Sequence, residues 1–301
     1  MMPLDVPTLS GSGEEVGSFK YRRLLVVHRD RYMDRKKNMA RPQSQLNPCA
    51  IEMVAGVKIT CCAVDYALNA IDENIQGVRD RHYISITNTE AVYLARRIPS
   101  HMDYVTHARF SFCDGIGVVI AARVAGKKIW RLNGPVLMLH CCQYGVARRW
   151  RHFFCGGKEG VAELVSQKLT ERYPCLITAG IYCPPFRSMT REEDQEMVDR
   201  INAAKPDILW VGLGLPKQER WIAEHIDRVS APWFIGVGAA FDYHAGTVRW
   251  APSYLRRAGL EWLYRSCREP RLLPRAVRSL RGVLEASCVG IKQRLERCTS
   301  Y

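Results

Sequence analysis

Asp114 closes an apolar run, FSFC (110–113), and is followed at once by Gly115 and Gly117. A carboxylate there stands at the carboxyl end of a strand, beside a turn that a substrate can approach, and can take a proton from a hydroxyl within direct or one-water reach. An Asp before a helix also suits an N-cap, where it accepts a backbone N–H. The residues alone leave both readings open. Two further turns follow apolar runs, VGLGLPKQERW (211–221) and IGVGAAFDYHAG (235–246). Gly212 with Gly214, and Gly236 with Gly238, let the backbone approach a bound group, and a helix starting just after such a turn aims free N–H groups at an anion. The turns therefore predict a phosphate or nucleotide site. In the first, Pro216 suits an opening helical turn, Gln218 projects an amide to the same rim and Lys217 offsets phosphate charge. In the second, Phe241 and Tyr243 are candidates to flank a base or sugar ring, and Asp242 to meet a ribose or sugar hydroxyl.

The elements that must hold these residues alternate along the chain. Strand-like runs (HYISITN, ARFSFC, RHFFC, CLITAG, DILWVGLG, WFIGVG) are separated by helix-like ones such as VDYALNAIDENIQG, GIGVVIAARVAG and PKQERWIAEHIDRV. This predicts an α/β fold, a mainly parallel sheet with helices on both faces. Ligands in such sheets lie outside the carboxyl ends of the strands, where Asn88, Asp114, Gly156, Gly212 and Gly236 all fall, so one site is expected to collect them. The boundaries read as a disordered basic extension over 1–50, a core over 51–250, and a helical appendage over 251–301 that associates with a membrane.

The net charge of +14 sits at the ends. Residues 1–50 hold 9 basic and 5 acidic groups, residues 249–301 hold 12 and 4, and the middle is left with 23 against 21. A near-neutral body argues against a nucleic-acid groove and for a basic attachment surface, with an anionic membrane as partner. The twelve cysteines include two adjacent pairs and no CxxC, so they read as free thiols in a reducing cytoplasm, many of them small core residues. No apolar run has signal-peptide or membrane-spanning length, which makes any membrane contact peripheral. In the tail, Leu273, Val277, Leu280, Leu284, Cys288, Ile291 and Leu295 recur every three or four residues, one apolar stripe on a basic amphipathic helix. That stripe suits a membrane interface, and equally a helix docked on the body or on a second subunit.

Taken together, ITNTEAVYLA (86–95), FCDGIGVVIAARVAG (112–126), RLNGP (131–135), the two glycine turns and GLEWLYRSCREPRLLPR (259–275) resemble, in order, the WecG/TagA/CpsF family of bacterial glycosyltransferases. The likeness runs from about Ile51 to Arg275. It implies an inverting, metal-independent enzyme without a cofactor, and no DxD motif occurs in the chain. It also implies transfer of N-acetylmannosamine, its uronic acid, or glucose from a UDP-sugar to an undecaprenyl-diphosphate-linked saccharide, at the inner face of the cell membrane. Asp114 matches the family's proposed base, Asn88 its first strand-end asparagine, Arg131 a pocket arginine and Gln218 its pocket glutamine. The family's threonine two residues before Asn88 is Ile86 here, and Thr87 is the nearest substitute. Arg265, Arg268 and Arg271 resemble the arginines of a C-terminal appendage that closes over the site and holds the departing diphosphate.

Two rival classes have sequence features behind them. GLG and GVG resemble dinucleotide turns, but neither completes GxGxxG, because Lys217 and Phe241 occupy the last glycine positions. A nucleic-acid module would explain the arginine and aromatic tail but not the carboxylate at a strand end. Monomer and homo-oligomer both stay open.

Overall fold

The computed structural model describes residues 49–299. The expectation of a disordered extension lies outside these residues, except that residues 49 and 50 already belong to a strand. That strand, β1 (Cys49–Val54), turns at Ala55 and Gly56 into β2 (Val57–Cys62), giving an antiparallel hairpin. Both turn residues have positive φ (50° and 83°), the twist that a two-residue hairpin turn requires.

Six more strands form a single sheet: β3 (His82–Thr87), β4 (Phe110–Cys113), β5 (Arg151–Gly156), β6 (Ile177–Tyr182), β7 (Ile208–Gly212) and β8 (Trp233–Gly236). Their order is β4-β3-β8-β7-β5-β6, and every neighbouring pair is parallel. The connecting helices are α1 (Val64–Gln76), α2 (Thr89–Ala95), α3 (Pro99–His107), α4 (Ile116–Val124), α5 (Gly134–Arg148), α6 (Val161–Arg172), α7 (Arg191–Ala204), α8 (Lys217–His225) and α9 (Ala240–Ala245). The tail forms α10 (Ser253–Ala258), α11 (Glu261–Arg268), a 3₁₀ turn (Pro270–Leu272) and the long α12 (Leu273–Thr299).

The continuous apolar runs of β5, β7 and β8 follow from burial on both faces. Leu209, Val211 and Phe234 pack with Val92 of α2, Met197 and Ile201 of α7 and Ile222 of α8. Their neighbours Ile208, Trp210, Trp233 and Ile235 turn to the other face, against Ile71 of α1, Leu137 of α5 and Leu169 of α6. The α/β reading of the sequence is thus the observed fold. Cys113, Cys141, Cys142 and Cys155 are buried free thiols in these two cores. Helix α7 opens with a capping box, in which Glu193 N–H donates to Thr190 Oγ1 (3.2 Å) and Thr190 N–H donates to Glu193 Oε2 (2.9 Å).

Helix α12 is docked on the body, on α2 and α4, by its small residues. A Cβ on Gly282 would stand 2.5 Å from the carbonyl oxygen of Thr89, one on Gly290 2.8 Å from Cβ of Ala125, and one on Gly117 of α4 2.5 Å from Cγ2 of Val283. Arg97 of the body adds a two-pronged ion pair to Glu285 at 3.0 and 2.7 Å. The sequence stripe is not the docking face. Leu273, Val277, Leu280, Leu284, Ile291 and Leu295 are each 49–60% exposed. No helix among the described residues is long and apolar enough to cross a membrane.

Candidate active site

The chain builds β3 and β4 on one side, lays β5 and β6 at the far edge, and returns with β7 and β8, so that β8 lies beside β3. At the carboxyl ends of β3, β4 and β8 this leaves a cavity of about 350 Å³, roofed by α11 and α12. Topological switches of this kind are where open parallel sheets bind ligands.

Asp114 follows β4 directly, and its backbone N–H donates to the Thr87 carbonyl at 3.0 Å. The N-cap of α4 is Gly115, with no side-chain cap, so the Asp114 carboxyl is not spent on the helix and lines the cavity instead. Burial pushes its pKa up to about 6, helped by the Glu261 carboxylate and opposed by Arg131, Arg275 and Arg265. A carboxyl with that pKa is ionised at pH 7 yet more basic than an exposed Asp, as suits a general base. Glu261 is itself held by the Trp250 indole N–H, which donates to it at 2.9 Å.

Three arginines reach the same space. Arg131 anchors one nitrogen on the Arg256 carbonyl at 3.1 Å. Arg265 pairs with Glu269 at 3.2 Å, lies 5.4 Å from the Tyr243 ring centre and keeps a buried Nε without a partner. Arg275, from the first turn of α12, pairs with buried Glu90 and lines the wall. Guanidinium groups so placed suit the paired acceptors of a diphosphate.

Gln218 is 4% exposed and fixed at both ends: it accepts the Gly214 N–H at 3.2 Å and donates to Glu219 at 3.0 Å. The glycine of the second turn makes room for it, since a Cβ on Gly236 would stand 3.0 Å from its Nε2. Gly214 and Gly238 both have positive φ (76° and 48°) and line the cavity. Asn88 lines it too, while its side-chain oxygen caps α2 by accepting the Ala91 N–H at 2.9 Å. Asn88 thus meets both of its sequence readings, strand-end cap and cavity wall.

Several expected residues are placed elsewhere. Thr87 is fully buried in a hydroxyl cluster with Ser85 (3.0 Å) and Ser111 (2.8 Å), on the strand face away from the cavity, and Ile86 takes the wall position. Gly212 serves packing, since a Cβ there would stand 2.7 Å from the Phe241 ring. Phe241 is 1% exposed and edge-on to Phe154, so of the two aromatics only Tyr243 faces the cavity. Gly156 lies against Gly212 rather than in the wall. Asp242 is half-buried near Thr247, Lys217 is exposed on the outer side of α8, Arg268 lies over Tyr264, and Arg271 is exposed and paired with Glu269; none of the four lines the cavity.

The pattern of the glycosyl transferase WecG/TagA/CpsF family matches residues 52–297. The chain belongs to this family. It is similar to the N-acetylglucosaminyldiphosphoundecaprenol N-acetyl-beta-D-mannosaminyltransferases of Staphylococcus aureus strains NCTC 8325 / PS 47, COL and MRSA252. Each is 31% identical over 185 residues, which cover 61% of this chain and 71% of the relative. As a WecG/TagA/CpsF protein it is a glycosyltransferase, and the nicotinamide reading is set aside.

In this family member the cavity also holds residues that the sequence reading passed over. Glu219 is 5% exposed, its Oε2 has no partner, and burial pushes its pKa up to about 7. Glu261, Arg275 and Asn133, the cap of α5 through the Val136 N–H (3.0 Å), complete the wall. Arg275 lies seven residues, two helical turns, before Gly282 on α12, hence on the face that docks.

Proposed function

We propose that the protein is an inverting glycosyltransferase that moves a sugar from a UDP-sugar to an undecaprenyl-diphosphate-linked saccharide in cell-surface polysaccharide assembly. The observation that carries this is the Asp114 carboxyl at the end of β4, facing a cavity into which Arg131, Arg265 and Arg275 converge. Asp114 takes the proton of the acceptor hydroxyl as that oxygen attacks the anomeric carbon from the side opposite the nucleotide. The bond from that carbon to the diphosphate breaks, its electron pair goes to the phosphate oxygen, and UDP leaves with the configuration inverted. The arginines meet the charge that develops on the leaving group, where each such donor is worth on the order of 10²-fold in rate. Asn88 and Gln218 orient the sugars by hydrogen bonds.

The lipid-linked acceptor is supported by the activity for which the S. aureus relatives are named, and their N-acetylmannosaminyl donor group favours that sugar among the three. The outward stripe of α12, flanked by the exposed Arg281, Lys292 and Arg294, suits an anionic membrane surface. UDP release from a panel of UDP-sugars, with and without a short-chain polyprenyl-diphosphate saccharide, tests the reading. Acceptor-dependent release that collapses in Asp114→Asn supports it; no release with any donor refutes it.

A further inference from the structure

Glu90 is the most deeply buried carboxylate on the helices around the cavity, at 2% exposure, and it sits in the first turn of α2, two residues after Asn88. A carboxylate so far from water is costly unless it is paired. Arg275 and Arg278, the two cations that meet it, come from α12. Arg278 donates through Nε and Nη2 to Oε1 at 3.0 and 2.7 Å, and Arg275 Nε forms an ion pair with Oε2, which accepts no hydrogen bond among the described residues. The Arg275 and Arg278 side chains remain 35% and 43% exposed, so these cations span from the buried acid to open space.

Arg275 has other acids within its field. It acts on Asp114 and on Glu219, both in the cavity wall, and Arg131, Arg265 and Glu261 line the same cavity. A guanidinium free to choose would close on Asp114, which would weaken the base and remove a cation from the diphosphate. We propose that Glu90 is a positioning residue for the transfer: it fixes Arg275 and Arg278, and so keeps Arg275 turned to the diphosphate instead of paired with Asp114. This rests on the UDP-sugar reading above. The helix cannot slide to escape the pairing, because Gly282 already abuts the Thr89 carbonyl beside Glu90. A cation held in place before the substrate arrives is electrostatic preorganisation, which stabilises charge without a reorganisation cost during the reaction.

The test compares the intact protein with Glu90→Gln, Arg275→Ala and the double variant, reading UDP affinity by tryptophan fluorescence and tryptic cleavage after Arg275 and Arg278. Glu90→Gln keeps the side-chain shape, and thermal melts identify loss of fold. Glu90→Asp serves as a second variant that retains the charge. The expected result is a loss of UDP affinity of about tenfold in Glu90→Gln, partial recovery in Glu90→Asp, faster tryptic cleavage, and no additional loss when Glu90→Gln is added to Arg275→Ala. Unchanged affinity and cleavage, or losses that simply add, would overturn the proposal. If the intact protein binds no UDP, the nucleotide reading falls, and the cleavage pattern alone decides whether Glu90 holds the tail.

Discussion

Ile86 and Thr87 are consecutive residues on opposite faces of β3: the first lines the cavity, and the second hydrogen-bonds to Ser111 at 2.8 Å inside the core. Thr87→Val leaves buried hydroxyl partners unsatisfied and is expected to lower stability by about 1–3 kcal/mol in urea unfolding, with kcat nearly unchanged. Ile86→Thr puts a hydroxyl into the cavity and is expected to shift KM for donor or acceptor while leaving the unfolding midpoint in place.

Asp114→Asn is expected to lower kcat by about 10²–10⁴-fold, and in the parent enzyme kcat/KM should fall tenfold per pH unit below about pH 6. Stability moves the other way. The folded-state pKa lies above the ordinary aspartate value of 3.8, so the native state binds the extra proton. The stabilisation from that proton is present below pH 3.8 and lost as pH rises through about 6. The Asn variant should match the parent at pH 3.5 and exceed it at pH 8, by at most ~3 kcal/mol.

Arg265→Ala and Arg275→Ala should each reduce kcat/KM by about 10²-fold, because both reach the cavity. Arg268→Ala and Arg271→Ala should stay within about threefold at 0.15 M salt, since both are exposed and an exposed pair such as Arg271 with Glu269 contributes little. Equal losses at all four positions would show that the exposed arginines also reach the diphosphate.

Gly282→Ala brings a methyl group to 2.5 Å from a backbone oxygen that no rotamer can move. A destabilisation of α12 by about 1–3 kcal/mol is expected, read as faster tryptic release of the tail, together with weaker UDP binding. Serine or alanine at the exposed Leu284 should have neither effect.

The sheet and most of its helices were legible because burial on two faces writes itself as unbroken apolar runs, and because strand and helix periods differ. Asp114, Asn88, Gly214, Gly236 and Gly238 were legible for the same reason: each ends a strand or lies in the turn after it, where the fold must open, and Gln218 was legible from the helix that starts just after such a turn. Thr87 was misplaced because a one-residue offset in a strand inverts the face. Arg275, Glu90 and Glu219 were missed because a charged residue in a helix looks like a solvated surface until its partner on a distant element is known. The tail showed its large residues first, yet the contacts fell to Gly282, Ala286 and Gly290, whose smallness lets two helix backbones come close.

No lining residue of the cavity falls between Pro135 and Gly214. The active constellation is therefore contributed by two separated stretches of chain, while β5, β6 and β7 complete the sheet beside it. A single cut in the exposed turn at 185–188 would divide the polypeptide into one fragment with the base and another with the glutamine and the tail arginines. Such fragments make a natural complementation pair, silent apart and active only when the two halves of the sheet reassemble.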